Sequence, residues 1–463
     1  MSQREREIAE RVVELVRDVA ETAAEAEANV SGTAVALTRF ANSYIHQNVA
    51  DATTTVRLRL HVDGRTAAGS TTVVSPDGLR GLVERTIAAA RVCPPDPGWP
   101  GVGPPMPLAG EGNWDEATAL AGPDDRAGLV RAFVDAADGL ETAGYCRTIS
   151  WSSGFANSIG QAVAGRTSEV AMDGIARLDG ADGVARLSSG RLADVDGAAL
   201  GAHAAAKARA AVKPVELPPG RYEVVLEPGA VADVLQNLAA FGFNGKAYAE
   251  RRSFAEPGAQ QFDSSITLVD DVFAAGAVGP AFDAEGTPKR RLALVERGVT
   301  AAVTHDRRTA AEAGVASTGH AMPGGAAWGP MPVNVTLEPA AAGSASAPVP
   351  DVTAVDPSVG ALVSGVERGL LVTDLWYTRV LDPKSLVVTG LTRNGVWLVE
   401  NGVPTAPVSN FRFTQSYPQA LAPGAVLGVG DTATMIPSIW GSSWWTVRAL
   451  RLASWNFTGG ASG

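Results

Sequence analysis

Cysteine is scarce in this chain: among 463 residues only Cys93 and Cys146 occur, in separate segments and without CxxC spacing. That excludes a disulfide framework and a cysteine-rich zinc site, and it fits a reducing cytoplasm. Long hydrophobic runs are also missing, the longest being short and Ala-rich, so the sequence offers no transmembrane helix. The first twenty residues carry Arg4, Glu5, Arg6, Glu7, Glu10 and Arg11, too much charge for the apolar centre of a signal peptide. Basic clusters are absent, and the formal net charge is -11. Binding to nucleic acid without regard to sequence draws its affinity from Lys and Arg neutralising phosphates, so no nucleic-acid role is expected. Asn334-Val-Thr and Asn456-Phe-Thr match glycosylation acceptors, which without a secretory route are chance matches.

The motifs of several enzyme classes are missing as well. No Gly-x-Ser-x-Gly elbow occurs, which removes the usual basis for Ser/His/Asp catalysis. Neither a Walker lysine motif nor a strand-GxGxxG-helix unit is present, so a nucleotide role has no support. The five histidines, His46, His61, His203, His305 and His320, show no HxxxH or HxH spacing. Asp283 and Glu285, with Asp270-Asp271 nearby, lack the glycine and terminal glutamate of a calcium loop, and residues 283–288 read as a turn.

What is present reads as an α+β region followed by a β-rich one. Ile8, Val12, Leu15 and Val19 recur at helical spacing among charges, predicting an amphipathic first helix. Strands are expected over 34–40 and 53–62, where Val56, Leu58, Leu60 and Val62 alternate with Arg57, Arg59 and His61. Asp63-Gly64 predicts a tight hairpin turn, since Gly accepts positive φ, with a return strand over 71–74. Ser75-Pro76 predicts a capped helix running to about Val92. Residues 94–112 hold seven prolines and no periodicity, which predicts an irregular surface connection or a lid. A helix over 124–137, Gly-punctuated strands over 147–187 and an Ala-rich helix over 198–212 complete a first domain of residues 1–213.

Pro214, Pro218 and Pro219 mark the boundary, and a second domain spans 220–463. There, short apolar runs such as 292–295, 386–388 and 396–399 are separated by Gly, Pro and Asn-Gly turns, among them Asn394-Gly395 and Asn401-Gly402. This predicts a β-sandwich or an open barrel. Seven of the ten tryptophans lie beyond residue 320, so the larger aromatic surface belongs to this half. Only residues 340–350 approach low complexity.

Residues 224–241 read as a strand, a Pro228-Gly229 turn and a helix whose Val231, Val234, Leu235 and Leu238 form a buried stripe. This run resembles the zinc-helix segment of the TldD/PmbA family with its metal-binding residues missing. The likeness extends over nearly the whole chain. It includes residues 37–48 with the following strand, Phe282-Asp-Ala-Glu-Gly-Thr-Pro288, Glu296-Arg-Gly298 and Asp306-Arg-Arg-Thr-Ala310. Further on it includes Thr318-Gly-His-Ala321, Asn334 and Val388-Thr-Gly390. Each is weak alone, and their order and spacing together are specific.

The resemblance implies a TldE-like chain that forms a cytosolic heterodimer with a TldD-like, HExxxH-bearing subunit and cleaves flexible peptides or peptide precursors. Counted from Pro228-Gly229, the three functional positions of that motif are Gln236, Asn237 and Phe241 here. Zinc takes neutral imidazoles, and a neighbouring Glu takes a proton from metal-bound water; Gln, Asn and Phe supply neither. The family's TldD type also carries a late cysteine ligand, whereas no cysteine follows Cys146. No catalytic residue and no cofactor are therefore expected in this chain, with zinc in the partner. An older family label, DNA gyrase modulator, finds no support in the residues. By the same resemblance His305, Asp306, Thr318, His320 and Asn334 are candidates for lining a substrate chamber. The alternative reading is a homodimeric peptide-binding or scaffold protein that kept the fold without peptidase activity.

Overall fold

The computed structural model describes residues 2–20, 23–339, 357–438 and 443–460. The Ala-rich run over 340–350 lies outside the described residues. The chain starts with α1 (Ser2–Val19), as the 3.6-residue periodicity predicts, and Val12, Leu15 and Val16 are buried. A six-stranded antiparallel sheet follows, ordered β3-β2-β1-β4-β5-β6. Its strands are β1 (Ala24–Ala41), β2 (Tyr44–Val62), β3 (Arg65–Thr71), β4 (Glu141–Asn157), β5 (Ala162–Leu178) and β6 (Ala181–Ser189). Between and after them run α2 (Pro76–Val92), α3 (Glu116–Leu120), α4 (Pro123–Ala136) and α5 (Gly197–Ala210).

The first two strands are much longer than their most apolar stretches. β1 begins at Ala24 because Ala26, Ala28 and Val30 alternate with polar residues and point to the helices, a period-2 pattern written in small side chains. Its turn to β2 uses Asn42 and Ser43, both at positive φ (49° and 62°), without any glycine. The Asp63-Gly64 turn is formed as expected, with φ of 50° and 71°. The return strand is Arg65–Thr71 rather than 71–74, because a two-residue turn starts pairing at once and Val62 faces Arg65. Ser75 caps α2, accepting from Gly78 N, and Pro76 opens its first turn.

All four long helices cover one face of this sheet. Even-numbered residues of β1, β2, β4 and β5, among them Ala28, Leu58, Cys146, Val170 and Met172, pack against α1 and α2 at one end and α4 and α5 at the other. The opposite face meets the C-terminal region. Phe155 and Val163 pack there on Phe282, and Trp151 meets Trp444 edge-on at 5.5 Å. Residues 94–115 form neither helix nor strand. They run along the first region, where Trp99 donates to Glu25, and reach the second, where Asn113 donates to Ala274 O and Ala277 O.

The C-terminal region is β-rich, as its turn-punctuated apolar runs predict. It contains β7 (Gly220–Leu226), α6 (Pro228–Asn237), α7 (Gly245–Ala249), β8 (Leu268–Asp270), β9 (Leu292–Glu296), β10 (Val299–Thr300), α8 (Arg307–Ala313) and β11 (Asn334–Leu337). Then come β12 (Arg368–Asp382), β13 (Val387–Glu400), β14 (Val403–Pro407), β15 (Phe411–Ser416), β16 (Val426–Val429), β17 (Thr434–Ile436), β18 (Trp444–Val447) and β19 (Leu450–Gly460). One sheet is ordered β10-β9-β8-β11-β18-β17, and the other β12-β7-β19-β15-β13-β14. Because β13 also pairs with β12, five strands of the second sheet close into a ring. The main core, including Leu226, Phe413, Trp455 and Phe457, joins this ring to α6.

Asn394-Gly395 is not a hairpin turn. Both residues lie inside β13, at φ of 60° and 127°, opposite a register shift between Val372 and Asp374. The pair makes a bulge that bends a long strand around the ring, a use of Asn-Gly that local sequence does not distinguish from a turn. Asn401-Gly402 does form the turn between β13 and β14.

Candidate functional site

β7 delivers the chain to α6, with Glu227 at the N-cap position and Pro228 in the first turn. Gly229 lets α6 sit against β12, since a Cβ there would fall 2.1 Å from Asp374 Oδ1. Val231, Val234, Leu235 and Leu238 are buried, as their spacing predicts. After Asn237 the helix widens into a π turn over Leu238–Gly242. A regular α-helix would put positions five apart roughly 140° from one another, and a π turn brings them nearer one face. Gln236 and Phe241, both half-buried, stand at the two ends of that interval, and Phe241 packs against the core.

Asn237 is buried and engaged. Its Nδ2 donates to Asp233 O at 2.9 Å and to Asp233 Oδ2 at 3.3 Å. Asp233 also accepts from Thr378 Oγ1 at 2.7 Å and from Tyr417 OH at 2.6 Å. Burial pushes the Asp233 carboxyl up to about 6 against the pull of these donors, and burial, followed by the charge of Asp233, raises the Tyr417 phenol. Asp233 precedes Asn237 by one helical turn. A lone carboxylate within an apolar helix does not by itself mark this cluster in the sequence, because its partners Thr378 and Tyr417 are far away along the chain. Nearby Asp374 receives both ends of Arg186, at 3.0 and 3.1 Å, and Asn394 Nδ2 at 2.7 Å.

This donor set does not fit zinc. Two neutral amides and a phenyl ring provide no imidazole or thiolate, and the one carboxylate on the helix is already hydrogen-bonded. Among the described residues, no three His, Cys, Asp or Glu side chains are grouped to hold a metal ion.

The five chamber candidates lie together in a second place, linked through hydrogen bonds and the close approach of His320 to Asp270. His305 N donates to Thr318 Oγ1 at 2.7 Å, and Thr318 Oγ1 lies 2.9 Å from His320 Nδ1. His320 Nε2 stands 3.1 Å from Asp270 Oδ1, while Asp270 Oδ2 accepts from Val333 N and Asn334 N at 2.7 and 2.8 Å. Asn334 opens β11 and donates its side-chain amide to Val278 O. Asp306 caps α8, accepting from Thr309 N at 2.8 Å, and Thr309 Oγ1 is 3.2 Å from His305 Nδ1. His305, His320 and Asn334 are each less than 8 % exposed.

Charge at this place is tightly arranged. Burial would raise Asp270, but Lys289 and His320 outweigh it and hold the carboxyl well below its ordinary range. Burial, with Lys289 nearby, lowers His320, and burial lowers His305, so both imidazoles favour the neutral form. Asp283 anchors the 283–288 turn through Glu285 N and Thr287 N, both at 2.9 Å. Burial and the adjacent Glu285 push its carboxyl up to about 7.

The same stretch is tied to the N-terminal sheet. Glu27 accepts from Arg59 Nε at 2.6 Å and from Arg307; Glu285 accepts from Arg59 Nη2 at 2.6 Å and Arg307 N at 2.9 Å. Burial works against the charge on Arg59, but Glu27 and Glu285 outweigh it and hold its pKa above the ordinary value. Desolvation pushes Glu27 up against both guanidiniums. Sequence reasoning did not find this network, because strand alternation marks Glu27 and Arg59 as solvent-facing until a second layer is placed over them.

The sequence profile of the PmbA/TldA metallopeptidase C-terminal domain matches residues 219–454. The chain belongs to the TldD/PmbA family. Comparison with curated protein sequences gave no match. Solved structures share its fold over nearly their whole length. TldE from Thermococcus kodakarensis superposes with a TM-score of 0.84 at 17 % identity, covering 97 % of this chain and 99 % of that one. A Thermotoga maritima protein proposed as a modulator of a DNA gyrase gives 0.78 at 17 %, covering 98 % and 99 %. A Bacteroides thetaiotaomicron protein proposed for the same role gives 0.78 at 18 %, covering 98 % of each chain.

Proposed function

We propose that this chain is a TldE-like, non-catalytic subunit that pairs with an HExxxH-bearing homologue, in the cytoplasm, to form a zinc peptidase acting on flexible peptides. The observation that carries the reading is the composition of α6: Gln236, Asn237 and Phe241 stand where the family resemblance places the metal motif, and Asn237 is bonded to Asp233. Membership of a metallopeptidase family supports the activity of the assembly, and the donor set supports the absence of that activity from this subunit. The His305, Asp306, Thr318, His320 and Asn334 cluster then supports the chamber wall from behind, its side chains turned into hydrogen bonds rather than toward substrate.

The test is co-expression with an HExxxH-bearing homologue and cleavage of an unstructured peptide. The chain alone should be inactive, and the mixture should cleave and lose activity with chelator. Chelator-insensitive cleavage by the chain alone would refute the proposal.

A further inference from the structure

The later half of β12 presents aromatic rings to solvent. Trp376 and Tyr377 show 44 % and 65 % of their surface, and Arg379 and Leu381 are exposed beside them. A single exposed apolar residue needs no explanation, but Tyr377 is also strained. Its φ is 53°, and of the non-glycine residues at positive φ among the described residues only Tyr377 and Leu386 are aromatic or apolar. Leu386 is fully buried in the main core, so packing offsets its strain. Tyr377 has no such compensation, and strain of this kind collects where a side chain is held for a function.

A bulge sets that conformation. Trp376 pairs with Leu391 and Arg379 with Thr389, so Tyr377 and Thr378 together stand opposite Gly390. Glycine makes room for the bulge, since a Cβ on Gly390 would fall 2.8 Å from Thr378 Cγ2. Thr378 Oγ1 donates to Asp233 at 2.7 Å, which pins the bulge to α6, the helix that carries Gln236 and Asn237. Each ring is covered by a cation: Arg393 lies over Trp376 at 4.7 Å, and Arg379 over Tyr377 at 4.4 Å. Neither guanidinium is in an ion pair among the described residues. Asp374, which faces Arg393 across the strand pair, is taken up by Arg186 and Asn394.

We propose that Trp376, Tyr377, Arg379 and Arg393 form a specificity surface for flexible peptides in which an aromatic residue stands next to a carboxylate. The inference rests on the peptide-processing reading above and names the class of peptide that this chain selects. The peptide's aromatic side chain stacks on the exposed rings, and the neighbouring Glu or Asp accepts from the free N–H groups of a guanidinium already held in place. Charge complementarity chooses this occupant. A chain of net charge -11 repels an acidic peptide over most of its surface, whereas over 376–393 Arg379, Lys384 and Arg393 outnumber Asp382.

The test uses the full chain alone and fluorescein-labelled unstructured peptides of one length, built on Gly and Ser and carrying Glu-Phe, Gln-Phe, Lys-Phe or Glu-Ala pairs, with binding read by anisotropy. The Glu-Phe peptide should bind tightest, the Gln-Phe and Glu-Ala peptides roughly tenfold more weakly, and the Lys-Phe peptide most weakly. Trp376→Ala and Arg393→Gln, both at exposed positions, should each weaken the Glu-Phe peptide roughly tenfold with the melting temperature unchanged. Tyr377→Gly should weaken it as well without lowering the melting temperature, because glycine takes positive φ without strain. Absence of binding, equal binding of all the peptides, or Glu-Phe binding that survives Trp376→Ala and Arg393→Gln would each overturn the proposal. So would variants that bind the peptides normally and lose only the capture of an HExxxH-bearing homologue, since the surface would then be a subunit contact. Cleavage is not read in this experiment. If co-expression yields chelator-sensitive cleavage but the chain shows no preference among the peptides, this inference fails and the proposed function stands; if the preference is seen and no cleavage is obtained, that function fails and the binding surface stands.

Discussion

On one face of the N-terminal sheet, Ala26, Ala28, Val30 and Leu58 meet α1 and α2 through apolar contact. On the other, Glu27, Arg59, Arg147, Glu169 and Arg186 are set between the strands and the C-terminal region, and Glu169 is fully buried. Apolar burial is non-directional, and a helix can settle on such a face in several ways. An ion pair out of water is satisfied in one geometry and is costly in any other, so the charged face contributes to how the two regions dock more than to how tightly. Lys207 on α5, paired with Glu227 ahead of α6, repeats this at a second point.

The largest effect should come from halving a charged pair. Glu27→Ala leaves Arg59 and Arg307 without one of their two carboxylates, and a loss of ~4 kcal/mol is expected in urea unfolding. Glu27→Gln should recover only part of this. On the apolar face, Leu58→Ala should cost ~3 kcal/mol through lost contact and the cavity left behind, with no change in its dependence on salt. If the two losses respond alike to salt and pH, the distinction between the faces fails.

A smaller effect concerns pH. Asp233 has its folded pKa raised to about 6 by burial, so the folded state holds a proton that the unfolded chain releases near pH 4. Its contribution to stability is fully present below about pH 4 and is lost as pH rises through about 6. Asp233→Asn removes this dependence, and the parent's stability relative to the variant should fall by ~2 kcal/mol between those limits. A difference that stays flat with pH would show that Asp233 remains ionised in place.

Much of the local structure was legible because it is carried by local chemistry. Ser75-Pro76 starts a helix, Asp63-Gly64 and Asn401-Gly402 reverse the chain, and the 231, 234, 235, 238 spacing buries one side of α6. What was not legible depends on contact between distant segments. β1 and β2 run far past their apolar centres because each pairs with the other, and Asn394-Gly395 is a bulge because the strands of its ring must close. His305, His320 and Asn334 were singled out by their place in the family pattern, but that they share one buried network through Thr318 and Asp270 required the fold. Asp233 was missed because a single carboxylate in an apolar helix has no meaning until Thr378 and Tyr417 are brought to it.

The central claim is that this chain supplies no metal chemistry of its own, and metal analysis of the purified chain after dialysis tests it most directly. With amides and a phenyl ring at positions 236, 237 and 241, zinc should be well below one per chain, and added zinc should leave the melting temperature unchanged. One zinc per chain that survives dialysis and raises the melting temperature would contradict the account.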